Sequence, residues 1–288
     1  MDPEVITSYM NKADIIKRVQ SGVSCANMDL SGIDLSHSNL TGADFRGANL
    51  SSASLNFCNV SGASFQECNL KKADFKHSVI ASATMVIARL GGLPIANVNH
   101  SNFRTSDCVG ADFSFSKIEK ADFVDADLSC CVFDSASLND CEFGRARIDN
   151  SSFDNTQLQR CEITGASLKS SHFTKSSIYE SDLSWSDISG TQFVHSELAQ
   201  CKLSNAVSHG TVMECCTCSK LEMALMHAPH FKCIGSIFTE CNFEKCVLEE
   251  SFWADSVFTM TNFRGANIQG AQFQNSCKGL VLHGTIGH

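Results

Sequence analysis

The sequence has no run of eighteen apolar residues, which excludes an ordinary membrane-spanning helix. It begins Met1-Asp2-Pro3-Glu4, without the basic and apolar regions of a secretory leader, so a cytoplasmic chain is expected. Basic residues are in deficit: 22 Lys and Arg face 31 Asp and Glu, and the formal net charge of −9 disfavours direct nucleic-acid binding. Catalytic signatures are missing as well. There is no nucleophile elbow, phosphate-binding glycine loop, HExxH pattern or Gly-x-Gly-x-x-Gly. Only three prolines and 18% charged residues punctuate the chain.

What is present is a beat of five. Residues 41–50 read Thr-Gly-Ala-Asp-Phe, Arg-Gly-Ala-Asn-Leu. A large apolar centre recurs every fifth residue in three runs: Leu30 to Ile80, Val98 to Leu203, and Phe238 to Phe273. Counting Cys108, all 41 centres are apolar, and in 39 the residue two places earlier is Ala, Ser, Thr or Cys. Met28 and Ile33 are the exceptions. A helix requires a spacing near 3.6 and a half-buried strand 2.0, so five fits neither. It fits a chain that turns a corner every five residues and closes a square coil after four, with one large and one small side chain inserted per side. Residues 26–275 would then give about 12 coils and a rod on the order of 60 Å long at the usual inter-strand spacing. Such a solenoid grows by length and needs covered ends.

With Ala-Asp-Phe at 111–113 and 121–123 and Ala-Asp-Leu at 126–128, the chain resembles the pentapeptide-repeat family, whose consensus is Ala-(Asp/Asn)-(Leu/Phe)-x-x. The resemblance covers about nine-tenths of the chain. It implies an all-β solenoid, a right-handed quadrilateral parallel β-helix, here with a short N-terminal helical cap. One fold hosts many roles, so it says less about activity.

Sixteen cysteines would suggest disulfides in a secreted protein. Nine of them, Cys58, Cys68, Cys131, Cys141, Cys161, Cys201, Cys216, Cys241 and Cys246, fall on the small inward position where Ala and Ser also stand. A free buried cysteine behaves as a small hydrophobe, so these thiols read as packing in a reducing compartment.

Three regions divide the chain: a cap over 1–24, the repeat rod over 25–275 and a tail over 276–288. In the cap, Asp2-Pro3-Glu4 or Asn11-Lys12-Ala13-Asp14 can start a helix, Ile15, Ile16 and Val19 supply an apolar face, and Gly22 a stop. The rod breaks phase once, because Val98 follows Leu90 by eight residues, which places a small loop at 91–97 around Leu93 and Pro94. From 204 to 235 the phase survives but the pattern decays. Ser208 is a weak centre, and Leu221, Met226 and Phe231 are bulky at the small position. Either these coils are distorted or a loop leaves the rod. Met213, Met223, Met226 and Phe231 are then either an adaptable exposed patch or core. The Gly-rich tail shows no helix.

Cys215-Cys216-Thr217-Cys218, with His209, His227, His230 and Cys233 nearby, is the best metal candidate by composition. Cys216 and Cys218 already fall on inward positions and no second paired-Cys motif completes a set, so no metal or other cofactor is expected. Carboxylates are plentiful but belong to the outside of a rod plugged by Leu and Phe, which leaves no desolvated pocket for an acid–base pair. A non-enzymatic chain is expected. Residues twenty apart stack on one side, so Asp122, Glu142, Glu162 and Asp182 form an acidic ladder ended by Lys202. Glu240, Glu244, Glu249 and Glu250 form a second cluster. Like charges stacked about 5 Å apart repel unless counterions or a basic partner relieve them. The blander account is a plain preference for Asp or Asn at that outward position, which Asn102 and Ser167 fit.

The expected function is a protein-interaction scaffold of unknown partner, touching it through Leu93 and Pro94, the ladder, or Met223, Met226 and Phe231. Two alternatives follow from the resemblance. One is a DNA-mimicking modulator of DNA gyrase or topoisomerase IV, as in the quinolone-protecting branch. That branch is usually a homodimer joined by a C-terminal helix, which this chain lacks, so monomer and end-to-end homodimer both stay open. The other is a secretion-associated adaptor or effector. It rests on the helix-like run Ile15–Gly22 followed by Asp29-Leu30-Ser31-Gly32-Ile33-Asp34-Leu35.

Overall fold

The computed structural model describes residues 10–80, 83–85, 88, 98–275 and 277–287. Within them every five-residue unit contributes one short extended segment and one corner. Parallel strands of three residues stack at a step of twenty. One sheet has eight strands, from Lys117–Glu119 to Val257–Thr259, and another has six, from His172–Thr174 to Gln272–Gln274. Isolated parallel bridges build the other two sides. One such ladder runs through Asn39, Asn59, Val79, Asn102, Asp122, Glu142, Glu162, Asp182, Lys202, Glu222, Asn242 and Asn262. The rungs of this ladder match the expected number of coils.

Each unit fills the interior the same way. Centres such as Phe45, Leu128, Phe173 and Leu198 are buried. On one side Phe113, Phe133, Phe153, Phe173 and Phe193 stack ring on ring, with centroids 4.7–5.0 Å apart. That spacing is the strand repeat itself, so the backbone ladder and the ring stack demand one period.

The small inward residue does more than leave room. Ser151 Oγ donates to the Leu128 carbonyl at 2.8 Å, and Thr156 Oγ1 to the Phe133 carbonyl at 2.7 Å. The nine cysteines of this position donate their thiols in the same direction, as Cys58 does to Leu35 (2.9 Å) and Cys246 to Met223 (2.8 Å). A side chain that is short, and either apolar or a donor, satisfies this site; this explains why Ala, Ser, Thr and Cys interchange there. All sixteen cysteines are free thiols.

Corners set the second constraint. Among the described residues, the one two past each centre has positive φ, as at His37 (58°), Asp125 (59°) and Trp185 (63°). For a residue with Cβ this costs roughly 1–2 kcal/mol. Its N–H is meanwhile held by the next coil, as His37 N is by the Asn56 carbonyl at 3.0 Å. The outward residue before the centre secures the corner from outside. Asp29, Asp34, Asp112, Asp122, Asp182 and Asp187 each accept, through Oδ1, the N–H two residues on, at 2.9–3.1 Å. Asn39, Asn49 and Asn59 do the same. Preference for Asp and Asn is therefore a turn requirement.

At the N-terminal end, α1 (Lys12–Gln20) is capped by Asn11, whose side chain accepts from Asp14 N while Asp14 returns a bond to Asn11 N. Ile15 is fully buried against the first coil, and Ile16 and Val19 pack beside it. The alternative helix start at Asp2-Pro3-Glu4 lies outside the described residues. So does the loop at Leu93 and Pro94. Across it the pairing step grows from twenty to twenty-three residues, as Val79 pairs with Asn102 and Thr84 with Asp107.

Two sequence expectations are corrected. Residues 204–235 are neither loop nor distorted coils, for their strands and bridges keep the step of twenty. Large and small positions have exchanged size there: Met226 with Ala228 and Phe231 with Cys233, all buried. The rung above explains the last exchange. Cys233 pairs directly with Trp253, the largest buried side chain, and Phe231 fills the space beside that indole at 5.3 Å. The expected tail also pairs into the rod: Phe258 N donates to Lys278 O and Ile268 N to Ile286 O. Gly279 permits this, because a Cβ there would lie 2.0 Å from the Phe258 carbonyl oxygen.

Candidate interaction surface

The filled interior sends every candidate contact to the outside. Asp122, Glu142, Glu162 and Asp182 do stand one rung apart on one face, as the spacing predicts. The face continues beyond Lys202 to Glu222, which the sequence reading missed because bulky Leu221 at the small position disguises the beat there.

The four carboxylates are not equivalent. Asp122 and Asp182 hold their own corners through Val124 N and Ser184 N. Burial pushes the Asp182 carboxyl up, but hydrogen bonds from Ser184 and Lys202 outweigh it and leave it below its ordinary value. Arg104 reaches Asp122 at 2.5 Å and Glu142 at 3.9 Å, and Lys202 reaches Asp182 at 3.3 Å. A glutamate is too long for the corner bond. Glu142 and Glu162 are exposed, and Glu162 meets no ion-pair partner among the described residues. The chain's own cations thus close both ends of the strip, Arg104 also reaching Glu142, and leave Glu162 open.

Other candidates fare differently. Met223, Met226 and Phe231 are buried, so the expectation that they contact a partner is corrected: Met223 is itself a centre, and Met226 and Phe231 fill the interior beside the small centres Ala228 and Cys233. Leu93 and Pro94 lie outside the described residues. The cysteine cluster comes apart. Cys215 is on an exposed corner, whereas Cys216 and Cys218 point inward. Burial pushes the Cys216 thiol up to about 11, which disfavours the thiolate that zinc binds. Among the described residues no three His, Cys, Asp or Glu side chains converge on a metal position.

The sequence reading also passed over the corners. Phe57, Phe115, Trp185, Leu225 and Met260 are exposed, and each stands two past a centre. Trp185 is 65% exposed and sits three residues past Asp182, beside the acidic strip. The signal was available: an apolar residue at the corner phase of the beat must face solvent. A second corner carries His37, Phe57, His77 and His100 as one stack with centroids 4.9 Å apart. Its first three members stand twenty apart, and His100 joins them only through the twenty-three-residue step.

Ion pairs elsewhere are exposed and local: Arg145–Asp125 at 2.7 Å, Arg160–Asp140 at 2.6 Å, and Lys169–Asp187 at 2.9 Å. Such pairs contribute little stability, about 0–1 kcal/mol each, but they neutralise much of the acidic surface around the strip. No helix among the described residues is long and apolar enough to cross a membrane.

Comparison with known proteins agrees with the architecture. A family model described as "Pentapeptide repeats" matches in 8 copies, at residues 21–56, 29–66, 58–92, 106–145, 126–165, 151–190 and 235–277. No curated protein matches. Among solved structures, HetL, a pentapeptide-repeat protein involved in heterocyst differentiation regulation from the cyanobacterium Nostoc sp. strain PCC 7120, is 20% identical, with 91% of this chain and 96% of that one covered and a TM-score of 0.28. Full-length QnrB1, a plasmid-mediated fluoroquinolone resistance protein, is 16% identical over 68% and 94%, with a TM-score of 0.34. A mannuronic-acid-specific polysaccharide family 6 lyase from human gut microbiota is 11% identical over 90% and 66%, with a TM-score of 0.23. Scores this low leave the assignment to the family model.

Proposed function

Because this chain belongs to the pentapeptide-repeat family, we propose that it works as a rigid, non-enzymatic protein-interaction scaffold. One observation carries the reading. The interior is filled by stacked centres, so side chains are displayed outward in straight columns at strand spacing, fixed by the backbone ladder. Asp122, Glu142, Glu162 and Asp182 are the proposed contact, with Glu162 its unpaired part, Glu142 held only at 3.9 Å by Arg104, and Trp185 at its edge. A partner with basic side chains spaced one rung apart relieves the repulsion in the middle of the strip.

The test is a site-specific photo-crosslinker at Glu162 and, separately, at Gln192 two corners away. A product formed from Glu162, absent from Gln192 and lost when Glu142→Lys is added supports the reading. Equal products from both sites, or none from either, overturn it.

A DNA-mimicking role directed at gyrase or topoisomerase IV ranks lower. Arg104, Arg145, Arg160 and Lys202 neutralise carboxylates that a phosphate-like array would leave bare. A gyrase supercoiling reaction inhibited by the protein, and released by Glu142→Lys with Glu162→Lys, would restore that role.

A further inference from the structure

We infer that the partner of the acidic strip presents an arginine at Glu162, its guanidinium stacked on the Trp185 indole in a notch that Gly165 leaves open. The inference rests on the strip being the contact. It starts from the indole. Trp185 is 65% exposed, and its corner fixes where it stands: φ is 63°, and Trp185 N donates to Ser204 O at 3.1 Å. Tryptophan is enriched among the residues that carry most of the energy where proteins meet.

One rung below, the same corner is Gly165, whose N–H is held by Ser184 O at 3.0 Å. A Cβ there would have one neighbour within 4 Å, Arg145 Cγ at 3.7 Å, so the indole does not fold over the glycine. Arg145 directs its charge elsewhere, forking on Asp125 at 2.7 and 2.8 Å. On the unit of Gly165, three residues earlier, stands exposed Glu162, the unpaired carboxylate of the strip. The carboxylates on the coil of the indole are already engaged, Asp182 by Lys202 at 3.3 Å and Asp187 by Lys169 at 2.9 Å. The notch therefore joins one unpaired anion to one exposed indole. A planar cation answers both at once. A guanidinium lies flat on an aromatic face while its N–H fork takes a carboxylate in two bonds, whereas an ammonium is a point charge that cannot stack.

Isothermal titration of the full chain with tetra-arginine amide and with tetra-lysine amide, at neutral pH and low salt, tests this. The two peptides carry equal charge, so their difference is independent of the general attraction of the strip. Tetra-arginine should bind about two- to fivefold more tightly, the worth of a cation–π contact at an exposed site. It should also change the tryptophan emission through Trp185, because Trp253, the other tryptophan, is fully buried. Trp185→Leu should abolish the preference, and the corner accepts it, since Leu225 stands at the same position with φ 61°. Gly165→Asn should abolish it too, by filling the notch, and Asn205 stands at that position with φ 60°. A preference that survives either substitution overturns the inference. Equal affinities for the wild type, both weakened by Glu142→Lys with Glu162→Lys, overturn the arginine site and leave the strip as a general basic contact. Failure of both peptides to bind overturns the strip reading with it.

Discussion

The coils between Val98 and Leu203 and those between Ser204 and Gly235 share one backbone and differ in how they fill it. In the first stretch a large centre faces a small neighbour in every unit but that of Cys108, as Phe173 does beside Ser171. In the second, Met226 and Phe231 take the neighbour's place, and Ala228 and Cys233 become the centres. The bridges keep their step through both. What these two units show is that a large side chain can occupy either of the two inward positions; Leu221 with Met223 and Ala206 with Ser208, all buried, show that the volume per side itself varies in this stretch.

The largest test of this idea is a swap. Phe231→Cys alone removes the ring packed beside Trp253 and should cost about 3–5 kcal/mol. Cys233→Phe alone forces a second ring beneath the indole and should cost about 1–3 kcal/mol. Together they restore the ordinary order of large centre and small neighbour. The double variant should be less destabilised than the sum of the two by more than about 1 kcal/mol in urea unfolding. Strict additivity would mean that the positions are filled independently.

The same contrast shows what could be read from the chain. Fold, coil number and the packing role of nine cysteines follow from the beat, because the ladder, the ring stack and the corner all impose one period. Regularity at 204–235 was hidden because a pattern of residue size stands in for a pattern of volume, and only neighbouring rungs such as Trp253 reveal the exchange. The acidic ladder was legible as a list of residues. Its division into corner-holding Asp122 and Asp182 and unengaged Glu162 was not, because it depends on a hydrogen bond that glutamate is too long to make.

The two stretches differ outside as well. Between 204 and 235 the outward positions are Val207, Val212, Thr217, Glu222, His227 and Lys232, so no Asp or Asn holds a corner. In the preceding coils Asp182 and Asp187 do. For both, burial pushes the carboxyl up. Hydrogen bonds, from Ser184 and Lys202 to Asp182 and from Ser189 and Lys169 to Asp187, bring it below the ordinary value. A depressed folded value gives stability that is present above the unfolded carboxylate range, near 4, and is lost as the pH falls through the folded value. Melting temperature should therefore drop below about pH 4, and less in an Asp182→Ala, Asp187→Ala variant than in the wild type. An equal drop in both would place the acid-sensitive groups elsewhere in the rod.

Ser208 offers the smallest and sharpest effect. It is a centre with no large side chain, fully buried, between Ile188 and Ala228 on adjacent rungs. Its hydroxyl has no hydrogen-bond partner among the described residues, unlike the hydroxyls of Ser151 or Thr156 at the neighbouring inward position. Geometry accounts for the difference: the inward neighbour lies against a centre carbonyl of the previous coil, whereas a centre points at the middle of the rod, where only side chains meet. Burying an unbonded hydroxyl costs about 1–3 kcal/mol, and Ser208→Ala removes that cost while leaving almost the same volume. The substitution should be neutral or stabilising by up to about 1 kcal/mol, whereas Ser151→Ala should be destabilising by about 1 kcal/mol, both read from urea midpoints. If Ser208→Ala is the more damaging of the two, the interior at that rung is polar, and the exchange of volume between inward positions is not its whole account.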